Sequence, residues 1–335
     1  MSHTGRRQYH WLCWSSVLLW ACNSRTAAPE QMPATQEQKL VSAPPQQPSA
    51  ALSALVPPGG VSPNNLDPLA QLPGGNNGVQ FAVLGDFGEA GPGEAAVARL
   101  VKSWQPEFIL TTGDNNYPDG AAETIDANIG QYFREFIAPY KGAYGPGASE
   151  NRFFPSLGNH DWMTPGAKPY FDYFTLPGNE RYYDFVRGAV HFFAIDSDFN
   201  EPDGITASSR QAQWLKERLG ASTARWQIVY MHHPPYSSGR HGSTPAAQWP
   251  YKEWGADLVL AGHDHHYERL LVAGLPYVVI GLGGRMIYPL PRHATGSLVR
   301  YNETLGALRV VANDQALVYY FINVEGKRID MLQLP

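Results

Sequence analysis

Five points along this 335-residue chain carry side chains able to bind a cation, and each follows an apolar run. They are Asp86, Asp114, the pair Asn159 and His160, His232, and His263 with His265. Tyr117 stands three residues after Asp114. Eight of the eleven histidines fall between positions 160 and 266, whereas both cysteines, Cys13 and Cys22, precede position 23. The rest of the chain therefore has no thiolate, which disfavours copper(I) and iron–sulfur chemistry. Carboxylate, amide oxygen and imidazole suit Fe, Zn, Mn or Ni. Roughly four Asp, Asn or Tyr ligands and three His exceed what one tetrahedral zinc accepts. They suit two metals sharing a carboxylate, the arrangement that activates a hydroxide and clamps phosphoryl oxygens in phosphoester hydrolysis.

Strands must deliver those side chains. The runs 79–86, 108–114, 153–158, 226–232 and 258–263 read as buried strands, each ending in one of the polar groups. Val97, Leu100, Val101 and Trp104 fall at helical spacing in a segment that starts near Glu94. Residues 124–137 are expected to be one helix, with Ile125, Ile129, Phe133 and Phe136 on its apolar face. Residues 182–185 and 189–195 read as a hairpin around Arg187 and Gly188. Ser208 or Ser209 caps a further helix ending near 219, and strands are expected at 277–280, 307–312, 316–323 and 328–332. Ligands bind at the carboxyl ends of strands in open α/β sheets, so five such ends predict one composite site. Strand–helix alternation followed by strands predicts an α/β (α+β) fold of two packed sheets with helices outside.

Composition bounds the function. A net charge of −5 provides no global basic field for nucleic acid, and 43% hydrophobic against 16% charged residues excludes a coiled coil or a wholly disordered chain. Residues 1–22 read as a signal peptide. Arg6 and Arg7 precede an apolar stretch, 11–21, that is shorter than the roughly 20 residues of a membrane span. Residues 23–78 contain ten prolines and no aromatic residue, so they read as a disordered, extended tether. Leader and tether carry one more positive than negative side chain, which leaves the body, 79–335, more negative than the whole. An anionic substrate would then need cations at its site.

The residues also carry family resemblances. Leu19-Trp20-Ala21-Cys22 resembles a bacterial lipobox, which implies lipidation of Cys22 and an extracytoplasmic lipoprotein of the periplasm or cell surface, with plain secretion as the alternative. Gly85-Asp86, the run Gly113-Asp114-Asn115-Asn116-Tyr117, Gly158-Asn159-His160-Asp161, Val229-Tyr230-Met231-His232 and Gly262-His263-Asp264-His265 resemble the five ordered blocks of the calcineurin-like metallophosphoesterases. Tyr117, the run from Gly262 to Arg269 and Gly281-Leu282-Gly283-Gly284 are similar to the purple acid phosphatase branch, and Arg240-His241-Gly242 to its small, tartrate-resistant type, which has Glu in place of Arg240.

The resemblance implies a four-layer αββα sandwich holding two metal ions. Asp86, Asp114, Tyr117 and His265 would hold Fe(III). Asp114 would bridge, and Asn159, His232 and His263 would complete a divalent site of Fe, Zn or Mn. His160 and His241 would face the substrate as catalytic groups, one protonating the departing alkoxide and the other holding a phosphoryl oxygen. The implied reaction is hydrolysis of a small phosphate monoester by in-line attack of a metal-bound hydroxide. The implied partners are that ester and, through the signal peptide or lipid, a membrane. His233 competes with His232, whose register and the following Pro234 favour it, so His233 is expected just outside the ligand set. Arg240 either contacts phosphate or is solvated, and Asp161 and Asp264 are expected to orient ligand histidines. His191 and His266 are expected to be structural. A phosphodiesterase of the same fold is the alternative, against which Tyr117 argues. A non-catalytic surface lipoprotein would need a broken ligand set.

Overall fold

A computed structural model describes residues 78–334. The leader, Cys22 and the tether up to residue 77 lie outside the described residues. Thirteen strands form two mixed sheets. The first has six strands in the order β13-β12-β11-β1-β2-β3: β1 Val79–Leu84, β2 Phe108–Thr111, β3 Phe153–Pro155, β11 Gly306–Ala312, β12 Leu317–Asn323 and β13 Arg328–Leu334. The second has seven in the order β10-β8-β9-β7-β6-β5-β4: β4 Tyr183–Arg187, β5 Val190–Ala194, β6 Trp226–Tyr230, β7 Leu258–Ala261, β8 Tyr267–Val272, β9 Leu275–Ile280 and β10 Ser297–Tyr301. β1, β2 and β3 run parallel, as do β5, β6, β7 and β9. All five strands that precede the polar groups therefore belong to these two parallel sets, three in the first and two in the second.

The inner faces meet through aromatic side chains. Phe81 of β1 and Phe108 of β2 stack at 5.0 Å and both meet Phe192 of β5 at near right angles, at 5.0 and 5.4 Å. Tyr267 of β8 stacks on Phe321 of β12 at 4.1 Å. Trp226 Nε1 donates across the sheets to the Asn313 carbonyl at 2.8 Å. Central strands β1, β2, β5, β7 and β9 are buried along their whole length, as expected where both faces are covered. On the outer face of the second sheet, Ala212, Leu215 and Leu219 of α5 (Arg210–Gly220) and Tyr251 of α6 (Tyr251–Trp254) pack on Phe193, Val229, Val259 and Val279. Helix α1 (Pro92–Ser103) packs on β11 of the first sheet, so the layers are helix, sheet, sheet, helix.

The outline matches the expectation, with local differences. Ser209 is the cap of α5, accepting from the Ala212 N–H at 3.1 Å. The helix expected over 124–137 is broken into α2 (Ala122–Ile125), a π turn (Asp126–Gly130), α3 (Gln131–Phe133) and a 3₁₀ turn (Arg134–Phe136). The break occurs at Asp126, whose Oδ1 accepts from the Tyr140 and Tyr173 hydroxyls at 2.7 and 2.8 Å, the second from α4 (Lys168–Tyr173). Strands β8 and β10 were not expected. In β8, Glu268 and Arg269 look exposed in sequence but are buried, Glu268 against Ser238 and Arg269 paired with Asp330 at 2.7 Å. Among the described residues no helix is long and apolar enough to cross a membrane.

Candidate metal centre

Three of the five strand ends turn sharply at their polar residue. Asp86, Asp114 and His263 all adopt the left-handed backbone region, with φ of 57°, 52° and 70°. That conformation costs an L-residue roughly 1–2 kcal/mol and concentrates at functional sites. The preceding glycines make room. A Cβ on Gly113, whose φ is 86°, would lie 2.7 Å from His232 Nδ1, and one on Gly158 would lie 2.2 Å from the Asp114 nitrogen. The Gly-Asp and Gly-Asn-His patterns thus reflect how closely neighbouring strand ends approach, across the two sheets at Gly113 and within the first sheet at Gly158.

Two clusters of donor atoms result, sharing Asp114. In the first, the Tyr117 hydroxyl lies 2.8 Å from Asp114 Oδ2, 3.4 Å from Asp86 Oδ1 and 3.3 Å from His265 Nε2, and His265 Nε2 lies 3.4 Å from Asp86 Oδ1. In the second, His232 Nε2 lies 3.0 Å from Asn159 Oδ1, 3.3 Å from Asp114 Oδ1 and 3.1 Å from His263 Nδ1. Asp114 therefore presents one carboxylate oxygen to each cluster. Asp86, Asp114, Tyr117, His232 and His265 are all at most 2% exposed.

Hydrogen-bond bookkeeping indicates what the clusters fit. His232 Nδ1 donates to the Thr112 carbonyl at 2.8 Å, which leaves Nε2 a lone pair in the neutral ring. Burial holds that ring neutral, pushing its pKa well below the usual value, with the neighbouring His233 adding to the effect. This lone pair faces the acceptor oxygens Asn159 Oδ1 and Asp114 Oδ1. His265 is anchored in the same way. Its Nδ1 donates to the Met286 carbonyl at 2.6 Å, and Nε2 faces Asp86. Burial raises Asp86 to about 6 although the His265 hydrogen bond opposes it. Burial also works against charge on His265, but the Asp86 hydrogen bond and charge prevail and raise its pKa. Buried acceptors facing acceptors are costly unless a cation lies between them. An imidazole, amide and carboxylate set with one phenol fits two hard or borderline ions sharing Asp114.

The remaining expected residues take distinct positions. His160 sits over the Tyr117 ring at 4.4 Å, with Nδ1 against the Pro118 carbonyl and Nε2 3.9 Å from Asp114 Oδ2. Its side chain is 25% exposed. His241, exposed on its loop, lies over the His263 ring at 4.4 Å, and burial of its inner part lowers its pKa. His233 bonds Ser197 Oγ through Nδ1 at 3.1 Å, and one of its ring nitrogens groups with ligand atoms of His232 and His263. Arg240 is exposed, its guanidinium 5.3 Å from the Tyr288 ring centre.

Asp161 and Asp264 differ from expectation, because neither orients a ligand histidine. Asp161 accepts from the Gly158 N–H at 2.9 Å, the Asn115 N–H at 3.2 Å and Asn115 Nδ2 at 2.9 Å, tying the loops of Asp114 and Asn159 together. Burial and then the Asp114 charge raise it to about 7. Asp264 accepts from Ser237 Oγ at 2.5 Å, the His241 N–H at 2.8 Å and the Gly242 N–H at 3.1 Å, which shapes the His241 loop. His191 and His266 bond carboxylates away from the clusters, at 2.7 Å to Asp184 and 3.2 Å to Glu268. Two neighbours escaped the sequence reading. Arg285 lies 3.9 Å over the outer face of Tyr117, and Tyr288 stacks on His265 at 4.0 Å. Both follow the Gly281–Gly284 turn, whose position after a strand was the available signal.

This geometry defines a metallophosphoesterase sandwich, and comparison with known proteins agrees. The family profile of the calcineurin-like phosphoesterases matches residues 79–267, so the chain belongs to that family. Purple acid phosphatase 17 of Arabidopsis thaliana is 28% identical over 224 residues, covering 57% of this chain and 64% of that relative. Human tartrate-resistant acid phosphatase type 5 is 24% identical over 309 residues, covering 78% and 92% of the two chains. A purple acid phosphatase from yellow lupin seeds shares the fold with a TM-score of 0.63 at 17% identity, over 76% of this chain and 53% of that one. GAP50, described as the anchor in the inner membrane complex of Plasmodium, shares it with a TM-score of 0.61 at 19% identity, over 77% and 88%.

Proposed function

We propose that the chain hydrolyses phosphate monoesters at a dinuclear centre. Asp86, Asp114, Tyr117 and His265 hold Fe(III), and Asp114, Asn159, His232 and His263 hold a divalent Fe, Zn or Mn ion. The observation that carries this reading is the division of the Asp114 oxygens between two buried clusters, one of which contains the Tyr117 hydroxyl. When bound, such a pair supplies an activated hydroxide and neutralises charge on phosphoryl oxygens.

The chain's own groups do the rest. His160 is held by the Pro118 carbonyl with Nε2 3.9 Å from Asp114 Oδ2, which supports a role as proton carrier to a leaving alkoxide. His241, fixed by Asp264 through its peptide N–H, offers a donor to a phosphoryl oxygen on the other side, beside His263. The leader and its Cys22 motif support an extracytoplasmic site of action with a lipid anchor at Cys22.

Metal analysis with a visible spectrum tests the centre. A Tyr117–Fe(III) pair gives a charge-transfer band that Tyr117→Phe abolishes, and a colourless protein holding two zinc ions would refute the iron assignment. Rates on a monoester and a diester of one leaving group test the reaction, and a faster diester would favour the alternative. His160→Ala should slow alkyl esters at least about a hundredfold and aryl esters far less. Equal losses on both would remove His160 from the acid role.

A further inference from the structure

We infer that the substrate is amphiphilic: the alcohol portion of its phosphate ester is a hydrocarbon chain, received by an apolar rim around the metal centre. This rests on the proposed phosphomonoesterase reading and adds the substrate class.

Among the described residues, six large hydrophobic side chains are exposed: Tyr144, Met163, Val186, Phe199, Met286 and Leu298. Scattered singly they would need no explanation. Three of them, however, stand on the loops that build the site. Phe199 is 81% exposed, Met286 59% and Met163 56%.

Met163 ends the 3₁₀ turn after His160, its N–H donating to the His160 carbonyl at 3.3 Å. Met286 supplies the carbonyl that fixes His265, and stands between Arg285 on the Tyr117 face and the turn that brings Tyr288 onto His265. Phe199 follows Ser197, whose hydroxyl meets His233, by two residues. A bond of 2.8 Å from Trp162 Nε1 to Asp196 Oδ2 ties the Met163 and Phe199 loops to each other. Val186 and Leu298 belong instead to the two edge strands of the second sheet, beside the β4–β5 turn and at the start of β10.

The same opening carries cations. Arg285 lies over Tyr117, whose hydroxyl meets His265, with Glu89 3.8 Å from its guanidinium, and Arg240 lies beside Tyr288, which stacks on His265. Cationic groups and metal donors at the centre with apolar side chains farther out match a ligand with an anionic head and a hydrocarbon body. A polar alcohol, such as a sugar or an amino acid side chain, would gain nothing from Phe199, Met163 and Met286.

Two measurements on the full chain test this. In the first, calorimetry compares ethylphosphonate with octylphosphonate, neither of which can be hydrolysed, on the metal-loaded protein. Partial burial of six methylenes predicts at least about tenfold tighter binding of the octyl compound. In the second, kcat/KM is measured for ethyl and octyl phosphate below micellar concentration, by release of inorganic phosphate. The octyl-to-ethyl ratio should exceed about ten. Phe199→Ser should lower both ratios at least about threefold, while Leu298→Ser on edge strand β10 keeps them.

Equal affinity for the two phosphonates overturns the inference, even if both esters are hydrolysed and the phosphatase reading stands. A chain-length preference in binding without turnover of either ester upholds the rim and overturns the phosphatase reading. A preference that Leu298→Ser removes and Phe199→Ser keeps places the hydrocarbon elsewhere and overturns the inference.

Discussion

Asp161→Ala isolates how the two loops of the first sheet are held in register. The carboxylate accepts from three donors, the Gly158 and Asn115 N–H groups and Asn115 Nδ2, at 2.9–3.2 Å in a fully enclosed position. Asn115 Nδ2 keeps a second acceptor, the Ser156 carbonyl at 2.8 Å, so its loss is partial. Each orphaned buried donor costs about 1–3 kcal/mol. Two full losses and one partial loss sharing a single acceptor do not add completely, so about 3–5 kcal/mol is expected. In a domain of this size that is a fall in Tm of about 10 °C. The assay is thermal and urea unfolding of the metal-free protein, followed by the same scan with metal added back. Added metal should recover part of the loss, since Asp114 and Asn159 lie on the two loops that Asp161 joins. A Tm shift below about 2 °C in the metal-free protein would refute the claim that Asp161 is the tie.

Other expectations follow from the same contacts. Gly113→Ala sets a Cβ against His232 at a φ of 86° and should lower metal affinity at least about tenfold, read from metal retained after dialysis. Chelation of the bound metals should lower the Tm of the wild type and re-addition should restore it, by about 4 kcal/mol at a thousandfold excess over Kd. Burial raises the pKa of Asp184, but hydrogen bonds from His191 and Arg218 outweigh it and hold the carboxylate below its ordinary value. Its contribution is therefore fully present above the unfolded pKa near about 4 and is lost as pH falls through the lower folded value. Asp184→Asn should cost about 1 kcal/mol at neutral pH, since Arg218 is half exposed, and the deficit should close in acid; thermal scans across pH would measure it.

The residues of the two clusters were legible because their signal is local. A strand that ends in glycine and then an acid or histidine leaves its mark within three residues, and Tyr117 sits one turn beyond Asp114. The layered architecture was legible for a similar reason, since buried parallel strands are continuous apolar runs. What escaped depends on distant partners. Glu268 and Arg269 gave β8 a polar look because Ser238 and Asp330, 30 and 61 positions away, neutralise them in the folded chain. The π turn in the second helical segment depends on tyrosines far along the chain that fix Asp126. Asp161 and Asp264 were singled out as polar neighbours of ligands, but their actual partners are backbone N–H groups on other loops. Residue type alone does not specify such contacts.

Asp86, Asp114 and Asn159 come from the first sheet, whereas His232, His263 and His265 come from the second. Neither half of the sandwich can assemble a coordination sphere by itself. On the proposed reading, metal capture becomes a check on docking: a chain whose sheets had closed out of register would have no place to keep such ions. A centre loaded as proposed would act as a clasp across the seam, and the colour expected of a tyrosinate–iron pair would report in a test tube that the seam has closed.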